Sequence, residues 1–165
     1  AQQQGVDMLL MEAGEALRFD RLSIETGVSG VNRVLAHLGM IEADDGLTEV
    51  GIPARANKSS WVRAPRGGVT HRVRKSGDPV RKGDLLARVA GLFGEDPLDL
   101  VSPIDGIVIG HATLPVVHQG DALFHIAAIA HPERIGARID TITDAILASE
   151  PEGSAERLLD EDEVV

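Results

Sequence analysis

Between Trp61 and Ile126 the chain runs through nearly the same pattern twice. The first copy reads Ala64-Pro65-Arg66-Gly67-Gly68-Val69, then Gly77-Asp78-Pro79-Val80, then Gly83-Asp84-Leu85-Leu86. The second reads Ser102-Pro103-Ile104-Asp105-Gly106-Ile107-Val108, then Val116-Val117, then Gly120-Asp121-Ala122-Leu123. Pro65 and Pro103 are 38 positions apart and Gly83 and Gly120 are 37 apart, so the copies hold register within one residue. A repeat of this period is one supersecondary unit used twice. Each unit is a Pro-x-x-Gly turn, a short β-branched run, a Gly-Asp turn and a second apolar run. Gly68, Gly77, Gly83, Gly106 and Gly120 are expected to supply the positive φ of tight turns, and the Val/Ile runs favour half-buried pleated backbone. Neither unit can bury its apolar face alone, whereas two facing copies can. The expected fold is mainly β, a small sandwich with pseudo-twofold symmetry.

These residues resemble barrel-sandwich hybrid domains, the lipoyl/biotinyl-like fold. Carriers of that type attach their cofactor to a lysine on the hairpin joining the two halves. Here the joint, Gly91-Leu92-Phe93-Gly94-Glu95-Asp96-Pro97-Leu98, has none, and the chain's three lysines, Lys58, Lys75 and Lys82, lie elsewhere. A swinging-arm carrier is therefore not expected.

The flanks are of different character. Val6-Asp7-Met8-Leu9-Leu10-Met11 reads as a buried strand, too apolar for an edge facing water. Nothing from there to Asn57 could pair with it, so residues 1–41 are expected to be the last strand and helix of a larger α/β domain. The helix carries Ile24, Val28, Val31, Leu35 and Leu38 on one stripe, with Asp20 as N-cap and Gly39 just past its end. Residues 42–60 shift to Asp, Gly, Thr, Pro, Asn and Ser and read as a linker. The β module spans 61–128. Pro132 then opens a helix within 129–148 whose Ile135, Ile139, Ile142 and Ile146 form a stripe. From 149 to 165 seven acids face one arginine, a net charge of -6, and this tail is expected to be disordered.

Charge and composition remove several classes of function. A formal net charge of -10 with 2% aromatic residues opposes nucleic-acid binding, which needs a basic footprint and stacking platforms. The longest apolar runs, such as Ile126 to Ala130, are too short to span a bilayer, and no signal peptide opens the sequence. Cysteine is absent, which excludes disulfides and thiolate metal sites. A cytoplasmic location is the default expectation.

The ordered combination of features is more specific than any single motif. A strand, Glu12-Ala13-Gly14, a helix, a linker, then Trp61-Val62-Arg63-Ala64-Pro65 opening a module that closes on Gly120-Asp121-Ala122-Leu123-Phe124-His125-Ile126-Ala127 resembles the C-terminal half of the succinylglutamate desuccinylase/aspartoacylase family. The resemblance covers Val6 to Ala127. It implies an α/β zinc-hydrolase domain ahead of the module and hydrolysis of the amide bond of an N-acyl amino acid, with ectoine-pathway deacetylation among the possible substrate assignments. It also implies a glutamate at the end of a core strand acting as general base on a zinc-bound water, and the matching residue is Glu12. Glu15, one residue outside the pattern, reads as a surface acid.

The family's zinc ligands are a His-x-x-Glu pair and a later histidine, all ahead of the catalytic glutamate. None of His37, His71, His111, His118, His125 or His131 begins that pattern, so this chain is expected to lack the zinc site and to depend on a missing N-terminal catalytic portion. A separate metal site from His111, His118 and His125 is weighed against scattered surface or core histidines, and no ligand is assigned. Arg66, Arg72, Arg74, Arg81 and Lys82 read as a solvated face balanced by acids. Lys82-Gly83-Asp84 and His118-Gln119-Gly120-Asp121 lack the spacing of a phosphate cradle. Two readings remain: the C-terminal part of a zinc-dependent deacylase, with a homo-oligomer among its expected partners, or a non-catalytic barrel-sandwich module for protein contact.

Overall fold

The structure is a computed structural model that describes residues 2–14, 19–42 and 53–148. It divides into two units, Ala1–Gly51 with Ala145–Val165, and Ile52–Asp144.

The second unit holds eight strands, β1 (Ser59–Arg63), β2 (Gly68–Arg72), β3 (Pro79–Val80), β4 (Leu85–Ala90), β5 (Leu98–Val101), β6 (Gly106–His111), β7 (Val116–Val117) and β8 (Ala122–Ala127). They form two four-stranded antiparallel sheets, β1-β8-β6-β3 and β5-β4-β2-β7. Exchanging β1 with β5, β8 with β4, β6 with β2 and β3 with β7 turns one sheet into the other, so the repeat in sequence is a twofold in space. The first strand sits at 59 rather than 61, because Ser59 and Ser60 already pair with Ala127 and Ile126.

The twofold extends to single hydrogen bonds. The Ser102 N–H donates to the Asp84 carbonyl at 2.9 Å, and the Ala64 N–H to the Asp121 carbonyl at 2.8 Å. In return Gly83 donates to the Ser102 carbonyl at 2.8 Å and Gly120 to that of Ala64 at 2.9 Å. Within each Gly-Asp turn the carboxylate accepts a backbone N–H three residues back, Asp84 from Arg81 at 3.0 Å and Asp121 from His118 at 2.7 Å. Gly83 and Gly120 meet the turn at φ of 93° and 90°, which only glycine adopts without cost. Each copy's turn thus clamps the strand that opens the other copy.

Gly68 has the positive φ expected of it, 155°, whereas Gly106 does not, and both meet a further need. Gly106 is not in the left-handed region, and a Cβ there would stand 2.0 Å from the Ala127 carbonyl oxygen. A Cβ on Gly68 would stand 2.0 Å from the Ala90 oxygen. Both glycines let two strands approach where a methyl would collide.

The core consists of equivalent pairs, Leu86 with Leu123, Val89 with Ile126, Val80 with Val117 and Val62 with Leu100, all buried. The symmetry breaks at Ala87 and Phe124, a small residue answering the largest buried one, which is how facing layers interdigitate at native density. Removing the Phe124 side chain from water contributes roughly 2–3 kcal/mol. Helix α2 (Pro132–Ala148) follows, with Pro132 at its first position. Pro132 and Gly136 are buried and Ile135 and Ile139 half-buried, while Ile142 is exposed and the Ile146 side chain lies outside the description. The helix approaches β3 closely, since a Cβ on Gly136 would stand 2.9 Å from Pro79 Cδ.

In the first unit, α1 (Arg21–His37) is capped as its sequence indicates. The Ser23 N–H donates to the Asp20 carboxylate at 3.1 Å. At the other end Gly39 has φ of 70°, Met40 donates to the Leu35 carbonyl and Gly39 to that of Ala36, the pair of bonds of a Schellman end. Its apolar stripe, Ile24, Val28, Val31, Leu35 and Leu38, buries no residue. Val6–Met11 is not the buried strand expected from its composition: it has no regular structure and is exposed. A strand exists through ladder partners, and among the described residues none is offered to it. Most of the linker (43–52), Glu15 and the acidic tail from 149 lie outside the described residues.

Candidate functional site

Glu12 is exposed and lies on irregular backbone, not at the end of a strand. The segment around it is braced against α1 on both sides. Met11 lies over the helix, where a Cβ on Gly27 would stand 3.3 Å from its Sδ. Gly14 has φ of 78° and sits at the helix start, where a Cβ would meet Ser23 Oγ at 3.5 Å and Asp20 Cβ at 3.8 Å. The glycine of the Glu-x-Gly pattern is therefore favoured by its left-handed conformation, while a Cβ there would make only ordinary contacts with the residues at the start of α1. The Asp20 carboxylate bonds both the N–H and the hydroxyl of Ser23, so it is occupied in capping.

The described residues do not fit a zinc site. Among the described residues, histidines, aspartates and glutamates do not come together in any group of three able to hold a metal ion. His111 and His118 are engaged locally: His111 Nδ1 receives the Ser76 N–H at 3.1 Å with the Ser76 hydroxyl at 2.8 Å, and His118 Nδ1 lies 3.9 Å from the Asp121 carboxylate. His131 has φ of 55° just ahead of α2, and His37 ends α1.

Four of the basic residues each engage a different partner. Arg81 bonds Glu133 on α2 at 2.9 and 2.5 Å, Arg74 stands 3.8 Å from Asp84, Arg72 donates to the Ala112 carbonyl at 3.3 Å and Arg66 to that of Asp96 at 3.4 Å. The Arg81 bond is the first cause holding the guanidinium pKa above its ordinary value. The Glu133 carboxyl is held below the usual carboxylate range, first by its own backbone N–H in the opening turn of the helix and then by Arg81. The β4–β5 hairpin closes through the Gly91 N–H on the Glu95 carbonyl and the Phe93 N–H on the Glu95 carboxylate, both at 2.9 Å. Its tip is Leu92 and Phe93, 71% and 96% exposed.

One pair escaped the sequence reading. Trp61 on β1 and His125 on β8 are register partners, and their rings stack at 3.9 Å between centroids and 11° between planes. His125 Nε2 is buried with no hydrogen-bond partner. The two residues are 64 positions apart, and only the β1–β8 register brings them together.

No protein-family model matches the chain, and no curated protein does. Solved structures do. A succinylglutamate desuccinylase/aspartoacylase from Rhodobacter sphaeroides superposes with a TM-score of 0.58 at 27% identity, over 68% of this chain and 38% of that one. The product-bound ectoine utilization protein EutE (DoeB) from Ruegeria pomeroyi gives 0.55 at 26% identity, over 66% of this chain and 34% of that one. A succinylglutamate desuccinylase from a Silicibacter species gives 0.57 at 20% identity, which speaks for the fold alone, over 68% and 35%. The chain thus spans little more than a third of the length of the structures it matches. By its fold and its partial match to these structures, the chain is a structural relative of one part of the succinylglutamate desuccinylase/aspartoacylase family.

Proposed function

We propose that the chain is the C-terminal portion of a zinc-dependent deacylase that hydrolyses the amide bond of an N-acyl amino acid or a related compound. The observation that carries this is the coincidence of fold and motif: the structural match to desuccinylase and aspartoacylase proteins falls on a chain that holds Glu12-Ala13-Gly14 ahead of the repeated β unit. On this reading the two-sheet unit is a barrel-sandwich hybrid domain, supported by its twofold exchange of sheets. Zinc belongs to the reading through residues supplied from outside the described part of this chain, because no group of three potential ligands forms among the described residues. What the chain contributes is a carboxylate. Glu12 stands on a segment that Met11 and Gly14 anchor to α1, and an ionised carboxylate so held can take the proton of an attacking water and return it to the leaving amine.

The test uses the intact source protein. Glu12→Gln keeps shape and removes the base, and should lower hydrolysis of N-acetyl and N-succinyl amino acids by about 100- to 10,000-fold while leaving metal content unchanged. Turnover within a few-fold of wild type would sink the assignment. The second reading, a contact module without catalysis, draws on the exposure of Glu12 and on a β unit whose core is complete within itself. An intact protein that binds no metal and hydrolyses none of these substrates would favour it.

A further inference from the structure

The internal twofold makes β1 and β5 equivalent edge strands and so provides its own control. On the β5 edge, Asp99 occupies mid-strand and its carboxylate accepts from Arg88 Nε on β4 at 2.7 Å. A mid-strand carboxylate that any added strand would have to cover is a common way of keeping a sheet edge from pairing. At the equivalent places on the other sheet stand Trp61 for Asp99 and His125 for Arg88, and the ion pair is replaced by the aromatic stack. Trp61 is 54% exposed and is the chain's one tryptophan. The remaining two edges are guarded in other ways. β3 has two residues, opens on Pro79, which has no N–H, and lies against Gly136 of α2, while β7 is also only two residues long. Both β1 and β5 carry an irregularity where they meet their neighbours, so that feature does not separate them.

We propose that the β1 edge is an interaction surface whose partner is β1 of a second copy of this chain, added antiparallel about a twofold through Trp61. The strand is self-complementary in that register. Ser59 falls opposite Arg63, Ser60 opposite Val62 and Trp61 opposite Trp61, so no like charges oppose and the core-facing and outward positions stay in phase. The same operation centred on Asp99 of β5 sets carboxylate against carboxylate. A tryptophan at the centre of the contact with polar residues around it is the usual arrangement of an interface anchor. This inference rests on the sheet edges alone and is read by mass, not by activity.

The experiment is sedimentation equilibrium of the full chain over a concentration series, with tryptophan emission and amide exchange recorded on the same samples. The expected result is a mass rising toward twice the monomer, emission moving to shorter wavelength, and new protection of the β1 amides that point away from β8. Trp61→Asp combined with His125→Arg imports the guarded pair of the other sheet and should leave the chain monomeric at every concentration. Trp61→Lys, which places a charge at the edge without touching β8, should do the same. A wild type that stays monomeric overturns the proposal, as does association that persists unweakened in both variants or that brings no protection to β1.

Discussion

At the scale of single residues, the sharpest constraint is the pair Gly68 and Gly106. A methyl at either would stand 2.0 Å from a backbone carbonyl oxygen, of Ala90 and Ala127 respectively, and a carbonyl fixed in a ladder cannot swing aside as a side-chain tip can. Gly68→Ala and Gly106→Ala should therefore each destabilise the unit by about 3 kcal/mol, the upper end of ordinary overpacking. Thermal unfolding followed by circular dichroism should show both variants melting at least ~10 °C below wild type. A loss under ~1 kcal/mol at both sites would mean the strands are not held at this spacing. These two glycines were legible as necessary, but the reason was not. Sequence places them after a Pro-x-x turn and suggests a positive φ, which Gly68 has and Gly106 does not, whereas close approach between strands depends on a register that no local pattern encodes. The same limit hid the Trp61–His125 stack. Glu12 and Gly14 were visible as a pattern, and the structure adds why glycine is favoured at Gly14 while leaving the carboxylate exposed.

At the scale of elements, the strands were readable because each copy repeats its turn chemistry, and both helices because their caps and first-position proline are local signals. Val6–Met11 takes no regular structure here for a complementary reason. Apolar composition says that a segment must be buried, but a strand needs partners, and those are a property of the surrounding fold. Helix α2 shows how a docked element can respond to pH. Glu133 is held by its backbone N–H and by Arg81, and both favour the ionised carboxylate. A carboxyl whose folded pKa is depressed contributes stability that is present above the unfolded pKa and lost as pH falls through the folded value. The partner's contribution runs the other way: Arg81 is raised, so its share is fully present below the ordinary arginine pKa and lost only in strong alkali. Between these limits the pair is intact. Acidification through the lower carboxylate range should therefore loosen the first turn of α2, seen as faster amide exchange at Arg134 to Ala137 while β4 and β8 stay protected. Glu133→Gln should remove that step. Because both groups are exposed the effect is small, and a step of equal size in the variant would assign it to another group.

At the scale of the whole molecule, burial is distributed unevenly, and stability should follow it. Among the described residues every hydrophobic residue in the buried core falls between Val62 and Ala127, whereas α1 buries none of its own. A 17-residue helix that buries no residue is marginal in water, so caps at both ends and the contact with Met11 do not hold it against fraying. The β unit closes its ladders internally: each copy's Gly-Asp turn clamps the other copy's opening strand, and neither copy is complete without its mate. Half a sandwich should therefore not fold, and the whole sandwich should need nothing beyond itself. A piece comprising residues 53–148 is expected to melt within about 2 °C of the full chain, with the same steepness of unfolding. In the full chain the α1 amides should exchange at rates near those of unstructured peptide while β4, β6 and β8 exchange only on global unfolding. A melting temperature that drops by on the order of 10 °C on excision would show that the first unit supplies stability its exposed stripe does not account for. That stripe and the run ahead of it, Ile24, Val28 and Val31 with Met8, Leu9 and Leu10, are exposed apolar residues of the first unit. On the function proposed above, the rest of the deacylase is the natural cover for such a surface. Independence of the β unit and dependence of the first unit are thus two consequences of one distribution of core residues, and the excised piece tests them together.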